Sequence, residues 1–177
     1  SRRRAVCYWA HYLAIRPLWL QTDRMRTIPR KLSSVLAESR KSILLLGPRQ
    51  VGKSTLVAGL SPDLVINLAH EPTYLECARH ASFLDDRIAR TKPRSVFVDE
   101  VQRLPSILNT IQVHLDRPRA PRFFLTGSSA RKLRRGGSNL LPGRVHTYTI
   151  GPVTAGEMEY DLDVREVLCT GTLPAIL

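Results

Sequence analysis

Three cysteines in 177 residues, Cys7, Cys77 and Cys169, are too few and too scattered to staple a small fold. Their number is odd and no CxxC pair occurs, which argues against a disulfide framework and against a structural zinc site. They read as free thiols of a reducing compartment, so the expected location is cytoplasmic. No uninterrupted apolar stretch approaches the length of a bilayer span. Arg2, Arg3 and Arg4 followed by an apolar patch imitate an export signal, but His11, Arg16 and Pro17 interrupt it. Internal repeats, low-complexity linkers, and helix-turn-helix or zinc-finger spacings are absent, so nothing supports base-specific reading of DNA. Acidic residues are in short supply: 15 Asp and Glu face 27 Lys and Arg, a formal charge of +12.

That charge is unevenly placed. Arginines open the chain, Arg24, Arg26, Arg30, Lys31, Arg40 and Lys41 follow, and Arg131, Lys132, Arg134 and Arg135 cluster later. Such a balance attracts polyanions, and the expected partners beyond a nucleotide are nucleic acid or an acidic protein, with self-association also open. Residues 1–24 show neither a clear amphipathic period nor a signal and are expected to be a basic, loosely ordered extension. Met25, with a foldable segment behind it, is a candidate natural start. The remainder, 25–177, is long enough for one α/β domain with its own core.

The most informative stretch runs from Ile43 to Leu56. Gly47, then four residues, then Gly52, Lys53 and Ser54 make the phosphate-loop pattern GxxxxGKS. An apolar strand, Ile43-Leu44-Leu45-Leu46, precedes it and a helix start follows. Gly47, Pro48, Arg49, Gln50, Val51, Gly52, Lys53, Ser54 and Thr55 are therefore the expected nucleotide-binding residues. Loop N–H groups and the open first helical turn surround a β-phosphate with donors. Lys53 is expected at the β- and γ-phosphates and Ser54 at Mg²⁺.

About 45 residues downstream, Ser95-Val96-Phe97-Val98 delivers Asp99 and Glu100 to a strand tip. Asp99 is expected to hold Mg²⁺, directly or through water, and Glu100 to polarise the water attacking the γ-phosphate. Phe123-Phe124-Leu125-Thr126-Gly127-Ser128-Ser129 places hydroxyls beyond a further strand. In the additional-strand arrangement that strand lies between the two motif strands, so Ser128, with Thr126 close behind, is the expected contact to the γ-phosphate or the attacking water. The basic residues 131–135 fit a solvated face, a nucleic-acid contact or a kinase-like lid, and Gly136-Gly137 allows a turn after them. Arg144, after Gly143, is a candidate for stabilising γ-phosphate charge, in its own subunit or across an interface.

Short apolar strands alternate with helical patterns. Residues 30–40 and 53–60 read as helices. Residues 72–90 read as helical with a break near His80, and Ile107, Leu108, Ile111 and Leu115 mark another amphipathic helix. Residues 64–68, 95–98, 122–126 and 145–150 complete five strands. The expected fold is α/β: a mostly parallel five-stranded sheet flanked by helices, with ligands beyond the C-terminal strand ends.

In order along the chain, these segments resemble the prokaryotic AAA-like P-loop ATPases with an AAA_14 domain, many of which continue into a DUF4143 region. The resemblance is carried by Ile28-Pro29-Arg30, by Leu46 to Thr55, and by Phe97 to Pro105. It continues through Leu125 to Arg131, Leu141-Pro142-Gly143-Arg144, Gly151 to Glu157, and Gly171-Thr172-Leu173-Pro174. It implies an ASCE-type ATPase using ATP and Mg²⁺. Lys53 and Ser54 then stand at phosphate and metal, Asp99 and Glu100 form the acidic pair, Ser128 is a sensor-like hydroxyl and Arg144 the finger. It also implies a chain that is C-terminally truncated relative to the family. Pro142 stands where a small residue is more familiar, which alters how Arg144 is presented. The expected activity is Mg-dependent ATP hydrolysis coupled to a conformational switch. A nucleotide-gated binding module with little turnover and a P-loop kinase are the alternatives. The absence of an NKxD motif favours ATP over GTP.

Overall fold

A computed structural model of the chain describes residues 28–135 and 141–174. The expected extension over 1–24, Met25 and the Gly136-Gly137 turn lie outside them. The elements are α1 (Leu32–Glu38), β1 (Ser42–Leu46), α2 (Lys53–Ala58), β2 (Leu64–Asn67), α3 (Glu71–Arg79), α4 (Phe83–Thr91) and β3 (Ser95–Asp99). After these come α5 (Ile107–Leu115), β4 (Arg122–Gly127), α6 (Ala130–Arg135), β5 (Val145–Thr149) and α7 (Val164–Thr170). Short 3₁₀ turns at Val101–Arg103 and Ala155–Glu157 follow β3 and β5.

Local chemistry explains the boundaries. Pro72 in the first turn of α3 removes a donor the helix does not need there, and Arg79 in its last turn faces the negative helix end. The break expected near His80 is present: His80 takes an extended conformation between α3 and α4. Helix α4 stops where Lys92 turns left-handed, with a φ of 45°, immediately before Pro93.

The five strands form one sheet in the order β2-β3-β4-β1-β5, every pairing parallel. Strand β4 therefore separates the phosphate-loop strand β1 from the acidic strand β3, the arrangement of additional-strand P-loop NTPases.

Alternation along the strands divides the core. Leu44, Leu46, Val96, Val98, Phe123 and Leu125 pack on one face with α4, α5 and Leu133 of α6. Ile43, Leu45, Phe97 and Phe124 pack on the other with Leu36 of α1, Val57 of α2, Ile150 and Leu173. Both faces are covered, as a parallel sheet requires. Asp99 and Thr126 extend the second face to the strand tips, beneath the start of α2. No helix among the described residues is long and apolar enough to cross a membrane.

Candidate functional site

The loop between β1 and α2 is fixed by its backbone. Gly47 continues the ladder to β4, its N–H donating to the Gly127 carbonyl at 3.1 Å. A Cβ at Gly47 would lie 2.1 Å from the Ile150 carbonyl oxygen, so only glycine fits between β1 and the end of β5. Gln50 and Gly52 take left-handed φ values of 66° and 86°, and Gly52 opens α2 as its N-cap. Between them Val51 turns inward and is fully buried, anchoring the loop to the second core face.

Lys53 is only 4% exposed, and its Nζ donates to the carbonyls of Gly47 at 3.0 Å and Pro48 at 2.6 Å. Desolvation pulls its pKa below the usual lysine value. The carboxylates of Glu100 and Asp99 oppose that pull, and Arg49 adds to it. Pro48, Arg49, Gln50 and Thr55 are exposed around it.

The acidic pair is knitted to this loop. Ser54 Oγ donates to Asp99 Oδ1 at 2.9 Å, and the buried Thr126 hydroxyl donates to the same oxygen. These are hard oxygen donors from α2 and β3, the kind Mg²⁺ takes alongside substrate phosphates. The register explains the Thr126 contact: Val98 pairs with Leu125, so Asp99 and Thr126 stand side by side on one face. Thr126 Oγ1 also accepts the Glu100 N–H at 3.1 Å. Glu100 sits at φ 58°, ψ 46°, a left-handed conformation that a side chain disfavours. The surrounding bonds hold it there: Gln102 Nε2 donates to Glu100 Oε2, and Gln102 Oε1 accepts the Ser128 N–H at 3.0 Å.

Lys53, Ser54, Asp99, Glu100 and Ser128 therefore gather at one edge of the sheet. Thr126, not Ser128, bonds directly to the acidic pair. Gln102 belongs to the cluster through both ends of its amide, a role the sequence reading did not assign. Its only signal was its place three residues after Asp99.

Arg144 is elsewhere. It immediately precedes Val145, which pairs with Ser42 at the start of β1. The five-residue strand β5 therefore separates it from the loop edge by about 16 Å at the usual rise per residue. There it makes a two-pronged ion pair with Asp116, Nε to Oδ1 at 2.6 Å and Nη2 to Oδ2 at 3.0 Å. Those bonds lower the pKa of Asp116 and raise that of Arg144. Of the two geometries left open for Arg144, this placement sets it at the strand-start edge, away from the phosphate loop of its own chain.

A second ion pair, buried where the first is exposed, braces the loop from behind. Arg30 Nε bonds Glu157 Oε1 at 3.0 Å, with the two side chains 8% and 7% exposed. The same guanidinium donates to the Val51 carbonyl at 2.7 Å and the Gly151 carbonyl at 2.8 Å. Burial alone would raise the Glu157 pKa. The N–H of Thr154, the Arg30 guanidinium and the N–H of Lys31 outweigh it and hold the carboxyl at about 2. Pro174 closes the same side, its Cγ 3.8 Å from where a Cβ on Gly52 would lie.

Among curated proteins, the chain is similar to Uncharacterized protein Rv2008c of Mycobacterium tuberculosis and Uncharacterized protein Mb2031c of Mycobacterium bovis. Each is 34% identical over 120 residues, covering 66% of this chain. The match spans 26% of the length of those relatives. Among solved structures, the P-loop NTPase domain of the Sigma-54 transport activator from E. coli is similar with a TM-score of 0.47 and 15% identity, over 71% of this chain and 93% of that one. Residues 39–159 match the family model AAA_14, described as an AAA domain, and they hold the phosphate loop, the acidic strand and the whole sheet. The chain belongs to the AAA_14 family of AAA domains, and family and fold together point to nucleotide binding.

Proposed function

We propose that this chain binds ATP and hydrolyses it to ADP and phosphate with Mg²⁺, and that hydrolysis drives a conformational switch of the 25–177 domain. The observation that supports it best is one continuous hydrogen-bonded cluster, Ser54–Asp99–Thr126–Glu100–Gln102–Ser128, across the tips of β3 and β4 and the start of α2. Mg²⁺, bound by Ser54 and Asp99, would neutralise phosphate charge.

Loop N–H groups cradle the β-phosphate. Lys53 exchanges its two loop carbonyls for β- and γ-phosphate oxygens, a change its partial desolvation favours because phosphate is the stronger partner. Glu100 orients the attacking water and accepts its proton, with Gln102 fixing the carboxylate. Ser128 offers a hydroxyl at the γ-phosphate. Arg144 acts on the nucleotide of a second copy, which makes turnover depend on self-association.

The test is phosphate release from ATP with Mg²⁺ beside nucleotide affinity, for the parent chain and Glu100→Gln. Turnover is expected to fall about 10²–10⁴-fold in the variant, with affinity preserved. Equal turnover in both would overturn the role of Glu100.

One observation favours the nucleotide-gated binding module as a second reading: Arg144 stands away from the phosphate loop of its own copy. That reading expects nucleotide binding with negligible turnover at every protein concentration. A cytoplasmic setting fits the free thiols Cys77 and Cys169.

A further inference from the structure

In a parallel sheet all strand starts share one edge, here the edge opposite the phosphate loop. The register sets them abreast: Ser95 pairs with Arg122, Ile43 with Phe124 and Ser42 with Val145. Arg122 ties the three central starts together. Its N–H donates to the Arg94 carbonyl at 2.9 Å, its Nε to the Lys41 carbonyl at 3.2 Å and its Nη2 to the Leu36 carbonyl at 2.6 Å. Its guanidinium lies over the Phe124 ring, 4.5 Å from the centroid, so Arg122 is a strut and not a free charge.

Around this strut stand six exposed cations: Arg40 and Lys41 before β1, Lys92 and Arg94 before β3, and Arg117 and Arg119 before β4. Among the described residues none of the six is in an ion pair. Of the nearby carboxylates, Asp63 accepts the N–H groups of Arg94 and Ser95, and Asp116 is taken by Arg144. Exposed Glu38, at the end of α1, is the third.

We propose that this edge binds the phosphate backbone of duplex nucleic acid. With strands ~4.8 Å apart, the starts of β3, β4 and β1 span about 10 Å, and each carries two cations. Four of the six are arginines, whose planar forks match phosphate oxygens in pairs. Backbone contact without base reading agrees with a chain lacking a recognition helix. No Phe, Tyr or Trp lies in segments 40–41, 92–94 or 117–121 to stack unpaired bases, which disfavours single strands. No large exposed apolar side chain lies there either, which disfavours insertion into a membrane surface. The site stands apart from the nucleotide cluster, and its existence does not depend on ATP turnover.

The test is fluorescence anisotropy of a labelled 20-base-pair duplex DNA with the full 177-residue chain, titrated between 50 and 200 mM salt. If about six phosphates are neutralised, log affinity falls against log salt with a slope near −5, about 10³-fold over that range. Lys41→Gln combined with Arg94→Gln and Arg117→Gln should flatten the slope by about 3 and weaken binding on the order of 10²-fold at 0.1 M salt. A second variant, Arg40→Gln with Lys92→Gln, should flatten it by about 2, so the result does not hang on one protein's folding. Unchanged affinity and slope in both variants would overturn the proposal. So would a parent that binds single strands or phosphatidylserine vesicles and leaves the duplex free.

Discussion

Replacing Glu157 with glutamine separates the charge of the Arg30–Glu157 pair from its shape. The carboxyl has a folded pKa of about 2 against an ordinary 4.5. Because the folded value is depressed, the ion stabilises the fold above the unfolded pKa, and that contribution is lost as pH falls through the folded one. The full difference, about 2.5 pKa units, is worth about 3 kcal/mol at pH 7. Linkage puts the loss at about 1 kcal/mol by pH 4 and about 2 kcal/mol by pH 3. Glutamine keeps the size and some of the acceptor geometry, but leaves the buried Arg30 guanidinium without a counter-charge, a situation that costs about 3–5 kcal/mol.

Urea denaturation of parent and Glu157→Gln at pH 7, 5, 4 and 3 reads both effects. The stability gap is expected to be widest at pH 7 and to shrink by about 2 kcal/mol at pH 3, other carboxylates cancelling in the difference. A gap that stays constant across this range would refute the reasoning, because it would mean that Glu157 acts through packing and not through its charge.

Gly47→Ala sets a Cβ against the Ile150 carbonyl at 2.1 Å and should cost roughly 1–3 kcal/mol or more in thermal unfolding, with nucleotide affinity falling alongside. Thr126→Val removes a donor to Asp99 and the acceptor of the Glu100 N–H, an expected loss of about 1–3 kcal/mol in urea unfolding. Burial pushes the Cys77 thiol up to about 11, so iodoacetamide at pH 8 should leave it largely unmodified while the exposed Cys169 reacts, read by peptide mass spectrometry. Under the proposed function, phosphate release per chain should rise with protein concentration and lose that rise in Arg144→Ala, checked by steady-state assay.

What the sequence made legible was local. Phosphate loop, acidic strand and all five strands follow from short apolar runs and from motifs only a few residues long. The place of β4 between β1 and β3 was readable only from the usual strand order of additional-strand ATPases, because its polar tip by itself is no more than a turn. What the sequence left open is a matter of register and distance. Whether Arg144 stands near the phosphates depends on which end of β5 it occupies, and GR at a strand start looks the same as GR at a strand tip. The Arg30–Glu157 pair joins residues 127 positions apart, and neither lies on a periodic face that would announce a partner. Gln102 was visible in the motif, but only folding turns its amide towards Glu100 and Ser128 together.

The two edges of the sheet carry different chemistry. Asp99, Glu100, Thr126 and Ser128 stand at the strand tips beside the phosphate loop, and six exposed cations outnumber three carboxylates, Glu38, Asp63 and Asp116, at the strand starts. Because all strands run one way, no side chain from the starts can serve the tips of the same copy. An arginine finger at Arg144 therefore makes sense only head to tail, with the starts of one copy facing the tips of the next, a heterologous contact that closes into a ring or continues as a filament. Asp116 is then not an obstacle. It holds Nε and Nη2 and leaves Nη1 to donate, so the guanidinium is presented in a fixed direction before any phosphate arrives. Preorganisation of that kind lets an electrostatic contact act without first ordering a long side chain. The remaining cations of the same edge then compete between two anionic clients, the tips of a neighbouring copy and a nucleic-acid backbone. Assembly and duplex binding at this edge should exclude one another wherever they overlap.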